Sequence, residues 1–373
     1  MLTALAIAAY AIVALAALVY AGFLAARYFF VPRFPDEIHF ARAVDGWRIA
    51  VIRYRPDAPN GADPLLLVHG IGANRYTFDL TDELSLARHL AAAGYDVWVV
   101  ELRGRGYSTR PRLFSGVHYD WSFDEYAERD LPAAADLVLR ATAARRLHLV
   151  GFSIGALASY AWLTDPHRRA QVASLVSIAG PATFKRAGGH VSGRVVRNIR
   201  WLRHRFLMRV LAPVSGYWHA SPIQLIYNPE NTDGAIQRRA MVNLIANFSR
   251  DELLQYGDWL VNDAFRSIDQ RRDYRAEMAG IELPVLFLAG PRDLLAPPDA
   301  VKDAFERVAS ADKKFLICSR AQRFSVNYGH FDLLIGSHAP REIYPVVREW
   351  IDARALPVNA TSEASDRAAR TGG

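Results

Sequence analysis

A single cysteine, Cys318, stands among the 373 residues, so no intrachain disulfide can form. That suits a reducing compartment without demanding one, because exported bacterial chains also lack disulfides. No charged side chain occurs from Leu2 to Ala26, and no Asp or Glu from Lys185 to Arg209. The first gap excludes an ordinary solvated helix, and the second leaves a segment of one charge sign. No segment is repeated. Histidine, cysteine and carboxylates are nowhere grouped at metal-ligand spacing, so neither a metal nor an organic cofactor is implied.

What is present begins with hydrophobic residues, which make up 51 % of the chain. That exceeds the usual share of a soluble domain, and the first thirty residues account for much of the excess. The chain is long enough for one large core, or a core with a lid. The uncharged run from Leu2 to Ala26 would span ~37 Å as a helix, enough to cross a hydrocarbon core with some tilt. Tyr28, Phe29 and Phe30 follow where an aromatic belt belongs. A cleaved signal peptide is the rival reading. No Lys or Arg precedes Arg27 and the run is long, which favours an uncleaved anchor over 1–31. Arg27, Arg33, Arg42 and Arg48 follow it, and by the positive-inside rule that side faces the cytoplasm.

Past the anchor, residues 37–55 read as two strands joined at Asp45-Gly46. Short apolar runs at Leu65–Val68, Tyr95–Glu101, Leu147–Phe152, Val172–Ala179, Leu283–Ala289 and Lys314–Cys318 read as further strands. Between them, Leu84–Ala93, Phe123–Ala144, Ile154–Leu163, Ala300–Val308 and Glu342–Ala353 read as helices. Such alternation predicts a mostly parallel sheet with helices on both faces. One long helix-like stretch breaks it. The expected organisation is therefore a core over 37–181 and 277–356, a helical cap or lid over 182–276, and a disordered tail over 357–373.

Gly151-Phe152-Ser153-Ile154-Gly155 fits G-x-S-x-G, in which a serine sits on a sharp strand-to-helix turn. The strand before it and the Ala-rich stretch after it supply the context the motif needs. A serine hydroxyl requires a base, and the base an orienting carboxylate. Asp293 follows the strand ending at Ala289, where the acid belongs, with Asp299 as runner-up. Of eleven histidines, His330 follows the last strand and precedes the last helix on a loop beside Gly329, which makes it the candidate base. His69-Gly70-Ile71-Gly72 follows a buried strand, so the backbone N–H groups of Ile71 and Ile154 are the candidate oxyanion donors, with His69 structural. Gly104 and Gly106, in Arg103–Ser108, could cradle phosphate. A tight structural turn beside the site is the favoured reading.

These features define an α/β-hydrolase fold with a Ser153–Asp293–His330 triad. The chain resembles the acid lipases of lysosomal and gastric type from about His69 to Trp350. His69-Gly70, Ser85-Leu86-Ala87 with Gly94–Trp98, Ser122–Glu125 with Asp130–Ala133, the turn at Ser153 and His330-Phe331-Asp332 carry that resemblance. Gly329–Leu334 with Ala339-Pro340 is also similar to the polyhydroxyalkanoate synthase-like group. The resemblance implies the same triad. Acid lipases usually carry His and Gln where this chain has Phe152 and Ile154, and the synthases use Cys in place of Ser153, which disfavours polymerisation.

The segment of one charge sign holds Lys185, Arg186, Arg194, Arg197, Arg200, Arg203, Arg205 and Arg209. Val196, Ile199, Leu202, Phe206 and Val210 interleave at helical spacing. A single basic amphipathic helix follows. It would dock on an anionic membrane surface, or pack its stripe on the body with its arginines solvated. Nothing supports nucleic-acid binding. Three functions fit: an esterase acting on a small-molecule ester or lipid, an acyltransferase using the same triad, and a silent membrane-tethered binding module.

Overall fold

The computed structural model describes residues 2–111, 116–185, 192–199, 203–217 and 227–355. The expected tail over 357–373, and Arg186, Arg200 and Leu202, lie outside them.

Eight strands form one sheet: β1 (Glu37–Arg42), β2 (Arg48–Tyr54), β3 (Leu65–Val68), β4 (Val97–Glu101), β5 (Leu147–Phe152), β6 (Val172–Ile178), β7 (Val285–Ala289) and β8 (Lys313–Ile317), in the order β1-β2-β4-β3-β5-β6-β7-β8. β1, β2 and β4 pair antiparallel, and every other pair is parallel. β3 to β7 are buried along their whole length, as continuous apolar runs covered on both faces must be.

The longer helices are α1 (Leu2–Tyr28), α2 (Leu86–Ala92), α3 (Leu131–Thr142), α4 (Ile154–Leu163), α5 (Gly193–Asn198), α6 (His204–Leu211), α7 (Gly234–Asn243), α8 (Arg250–Asn262), α9 (Pro298–Arg307) and α10 (Ala339–Asp352). α2 packs with α10 and α3 with α4, as two layers over the sheet. Ser85 accepts from the Arg88 N–H at 3.1 Å, which fixes where α2 starts. The helix expected over Phe123–Ala144 is interrupted by a π-type stretch, Tyr126–Asp130. That widening sets Asp130 against Arg103 at 2.7 Å.

α1 is long and apolar enough to cross a membrane. Its C-terminal end is strapped to the body. Asn243 of α7 donates to Phe29 O at 2.9 Å and accepts from Val31 N at 3.1 Å, and the Tyr76 hydroxyl donates to Val31 O at 2.8 Å. Arg33 pairs with Asp79 and Asp82.

The stretch between β6 and β7 carries α5 to α8. The single amphipathic helix expected there does not form. α5 ends at Ile199, and α6 begins only after Arg203. The stripe is accordingly divided. Val196 is buried and Ile199 half-buried, both over Ser153, while Phe206 is 47 % exposed. On α6 the orientation is the reverse of an inward apolar stripe. Phe206, Leu207 and Leu211 face out, and the side chains of Arg205 and Arg209 are half-buried. The physical reason is α1. Its Gly22 sits so close to Val210 that a Cβ would lie 2.8 Å from Cγ2, and Ala25 packs with Ala212, Met241 and Met208. α1 supplies the apolar partner on that side and turns the helix.

Candidate active site

Ser153 stands between β5 and α4 with φ 54° and ψ −122°, a conformation that costs about 1–3 kcal/mol outside glycine. The glycines around it explain how the turn closes. A Cβ on Gly155 would lie 2.1 Å from Val68 O, and one on Gly151 2.6 Å from the Ala156 Cα. Both positions must lack a side chain for β3, β5 and α4 to meet.

His330 presents Nε2 to Ser153 Oγ at 3.1 Å and Nδ1 to Asp293 Oδ2 at 2.7 Å. The other Asp293 oxygen accepts from the N–H groups of Leu295 and Ala296 at 2.9 and 2.8 Å. The carboxylate is therefore held on both sides, and the imidazole with it. The sequence candidates Ser153, Asp293 and His330 thus meet in one chain of hydrogen bonds. The runner-up, Asp299, lies in the first turn of α9, and Asp293 occupies the Nδ1 side of His330.

The loops carrying the acid and the histidine are stitched together. Arg292 N donates to Tyr328 O at 2.9 Å, and Tyr328 N to Cys318 O at 3.1 Å. Asp332 accepts from Gly329 N at 3.0 and 2.9 Å and from Asn231 Nδ2 at 3.1 Å. Burial raises its carboxyl to about 6. Sequence reasoning gave Asp332 no role of its own. Its place two residues after His330 was the available signal. Asn228 and Asn231, from the inserted stretch, were not anticipated.

His69 is structural, as expected. It is fully buried, pairs with Gly70 O at 2.9 Å and accepts from Leu102 N at 3.2 Å, and burial lowers its pKa to about 3. Its loop brings Gly70 against the elbow, where a Cβ would lie 3.1 Å from the Ser153 Cβ. The backbone N–H groups of Ile71 and Ile154 donate to no protein acceptor among the described residues. The turn at Arg103–Ser108 is closed on itself. Gly104 N donates to Thr109 O, Arg105 N to Leu102 O and Tyr107 N to Glu101, so these amides are not free to hold an anion.

Above Ser153 lies a pocket of about 230 Å³, lined by Ile71, Ile154, Leu157, Phe184, Val196 and Ile199 among others. Among the described residues Ser153 and the Tyr256 hydroxyl are its only polar side chains. One wall comes from the sheet and the other from the inserted stretch. No group of three or more His, Cys, Asp or Glu that could hold a metal occurs among the described residues.

Residues 63–337 match the alpha/beta hydrolase fold family, and the chain belongs to it. Gastric triacylglycerol lipase of Bos taurus is 34 % identical over 164 residues, 41 % of this chain and 41 % of that one. The chain therefore spans well under half the length of that relative. Lipase member M of Homo sapiens is 24 % identical over 352 residues, 83 % of this chain and 81 % of that one. A thermophilic esterase from Thermogutta terrifontis has the same fold, with a TM-score of 0.56 at 17 % identity, covering 85 % of this chain and 98 % of that one. The family and these likenesses agree with the resemblance to acid lipases.

Proposed function

We propose that the chain is a membrane-anchored serine hydrolase that cleaves carboxylic esters with an apolar acyl group. The observation that carries this reading is the continuous Ser153–His330–Asp293 relay at the floor of an apolar pocket. Ser153 Oγ attacks the acyl carbonyl, and His330 Nε2 takes its proton. Asp293 holds the imidazole so that Nδ1 carries its hydrogen toward the carboxylate and Nε2 stays free to accept. The oxyanion falls to the N–H groups of Ile71 and Ile154, whose lack of a protein acceptor supports the role. His330 then protonates the leaving alcohol, and water, activated by the same imidazole, releases the acid.

The relatives named as lipases support a lipid-like ester, as does the apolar lining of the pocket. Residues 1–31 form the anchor and 182–276 the cap over the site. Gly22 faces Val210 about 9 Å before the end of α1, which sets α6 at the depth of the membrane interface. There Phe206, Leu207 and Leu211 continue the apolar surface of α1, and we assign them, rather than a solvated basic face, to membrane docking. Arg27 and the arginines that follow support a cytoplasmic side for the catalytic body.

The test is turnover of p-nitrophenyl esters of rising acyl length by the full chain in neutral detergent, beside Ser153→Ala. Turnover that falls by on the order of 10⁶-fold in the alanine variant supports the reading. Equal rates in the two proteins overturn it. An acyltransferase with this triad would still release p-nitrophenol in a burst but would need an added acceptor to turn over.

A further inference from the structure

A second cavity lies apart from the apolar pocket, across the Ile245–Phe248 segment. It measures about 220 Å³ and is enclosed by the Gly104–Tyr107 turn, α6, residues 242–247 and Phe30. Among the described residues four guanidinium groups line it, from Arg75, Arg110, Arg205 and Arg209, and no Asp or Glu does. Arg75 is neutralised by Glu101 at 3.1 Å. Arg110, Arg205 and Arg209 have no carboxylate partner among the described residues, and the Nε of Arg209 is buried without a hydrogen-bond partner.

Such an arrangement is costly in an empty protein. Half-buried cations without counter-charge lose hydration and repel one another. The strain is visible in their acidity. Burial, then the neighbouring Arg110, lowers the Arg205 pKa, and burial, then Arg205, brings Arg209 down to about 10. Elsewhere the fold pairs its buried arginines: Arg103 with Asp130 and Asp45, and Arg105 with Glu252. In this cavity several arginines share one small volume without that pairing, and a bound anion would supply the missing charge. Several forked donors converging on a small volume suit a tetrahedral oxyanion bound bidentately. The glycine turn contributes mainly shape, since the amides of Gly104, Arg105 and Tyr107 are engaged internally. Phe30, just beyond the last turn of α1, lines the cavity, which puts it at the level of lipid headgroups if α1 spans the bilayer.

We propose that this cavity binds a phosphate group, presented by a phospholipid headgroup of the adjoining leaflet or by a soluble phosphate. Thermal unfolding of the full chain in neutral detergent, followed by tryptophan fluorescence, is titrated with inorganic phosphate at ionic strength held by chloride. A parallel arm compares nanodiscs of phosphatidylcholine with and without phosphatidic acid. The expected result is a saturable rise in Tm in at least one arm. A response confined to phosphatidic acid assigns the headgroup, and one confined to inorganic phosphate assigns a soluble ligand. The double variant Arg205→Gln/Arg209→Gln should weaken half-saturation at least tenfold, while its ligand-free Tm does not fall below the parent's. Should that variant fail to fold, Arg209→Lys decides, with a weakened half-saturation expected. No saturable response in either arm, or an unchanged half-saturation in the folded variants, overturns the proposal.

Discussion

The triad-bearing wall of the pocket above Ser153 and the outer wall of the inserted stretch, built on α6, treat polar groups differently. On the sheet side the groups around the triad are matched. Asp293 has three donors, His330 has a partner at each nitrogen, and Asp332 secures the loop between them. On the inserted side, α6 leaves Arg205 and Arg209 without carboxylates and Phe206 and Leu211 open to solvent. The first wall is complete as an isolated molecule. On the proposed reading, the second becomes so only beside an apolar phase outside and an anion within.

The most severe way to break the matched wall is Asp293→Asn. The amide presents a donor where His330 needs an acceptor, favouring the wrong tautomer. Turnover should fall ~10⁴-fold, about 5.5 kcal/mol in the barrier, with little change in KM. A loss under tenfold in steady-state ester assays would show that His330 does not depend on this carboxylate.

Next comes the elbow itself. Gly155→Ala puts a Cβ 2.1 Å from Val68 O, a backbone atom of a central strand that cannot step aside. Denaturant titration should give a loss of about 3 kcal/mol. The same change at Gly116 or Gly61, where nothing lies near, should cost only what their positive φ imposes.

A smaller effect separates the walls by pH. His148, buried on β5, has its pKa lowered to about 4, burial being the main cause. Between the ordinary histidine value near 6.5 and that figure, the unfolded chain binds a proton that the folded chain does not. Its contribution is present above about 6.5 and is lost as pH falls toward 4. His148→Gln should therefore spare about 2 kcal/mol of the stability lost between pH 7 and pH 5. Identical acid sensitivity in denaturation of the two proteins would contradict it.

Least in energy, and aimed at the inserted wall, is Ile199→Trp. It fills the pocket from the cap side, away from the triad. The preferred acyl chain should shorten, with about tenfold lower kcat/KM for the longest ester and little change for acetate. An unaltered chain-length profile would place the acyl group elsewhere.

The same division governs what could be read in the sequence. β3 to β7 are buried on both faces, so apolar runs such as Leu65–Val68 and Val285–Ala289 stand out, and strand ends were misplaced by two residues at most. Ser153, Asp293 and His330 were legible because each follows a strand at a fixed offset. The cap was not. Its amphipathic stripe, read as one helix, divides at Ile199 because half of it meets the pocket and half meets α1. That partner is some 190 residues away in sequence, and helical periodicity carries no information about it. Ion pairs such as Arg105 with Glu252 were invisible for the same reason.

The central claim is that Ser153 is the nucleophile and His330 its base. Treating the full chain in neutral detergent with an alkyl fluorophosphonate, then mapping the modified peptide by mass spectrometry, tests both. The account predicts one phosphonyl group on Ser153, absent in Ser153→Ala and slowed at least a thousandfold in His330→Gln. A folded protein that stays unlabelled, or labels at another serine, would contradict it.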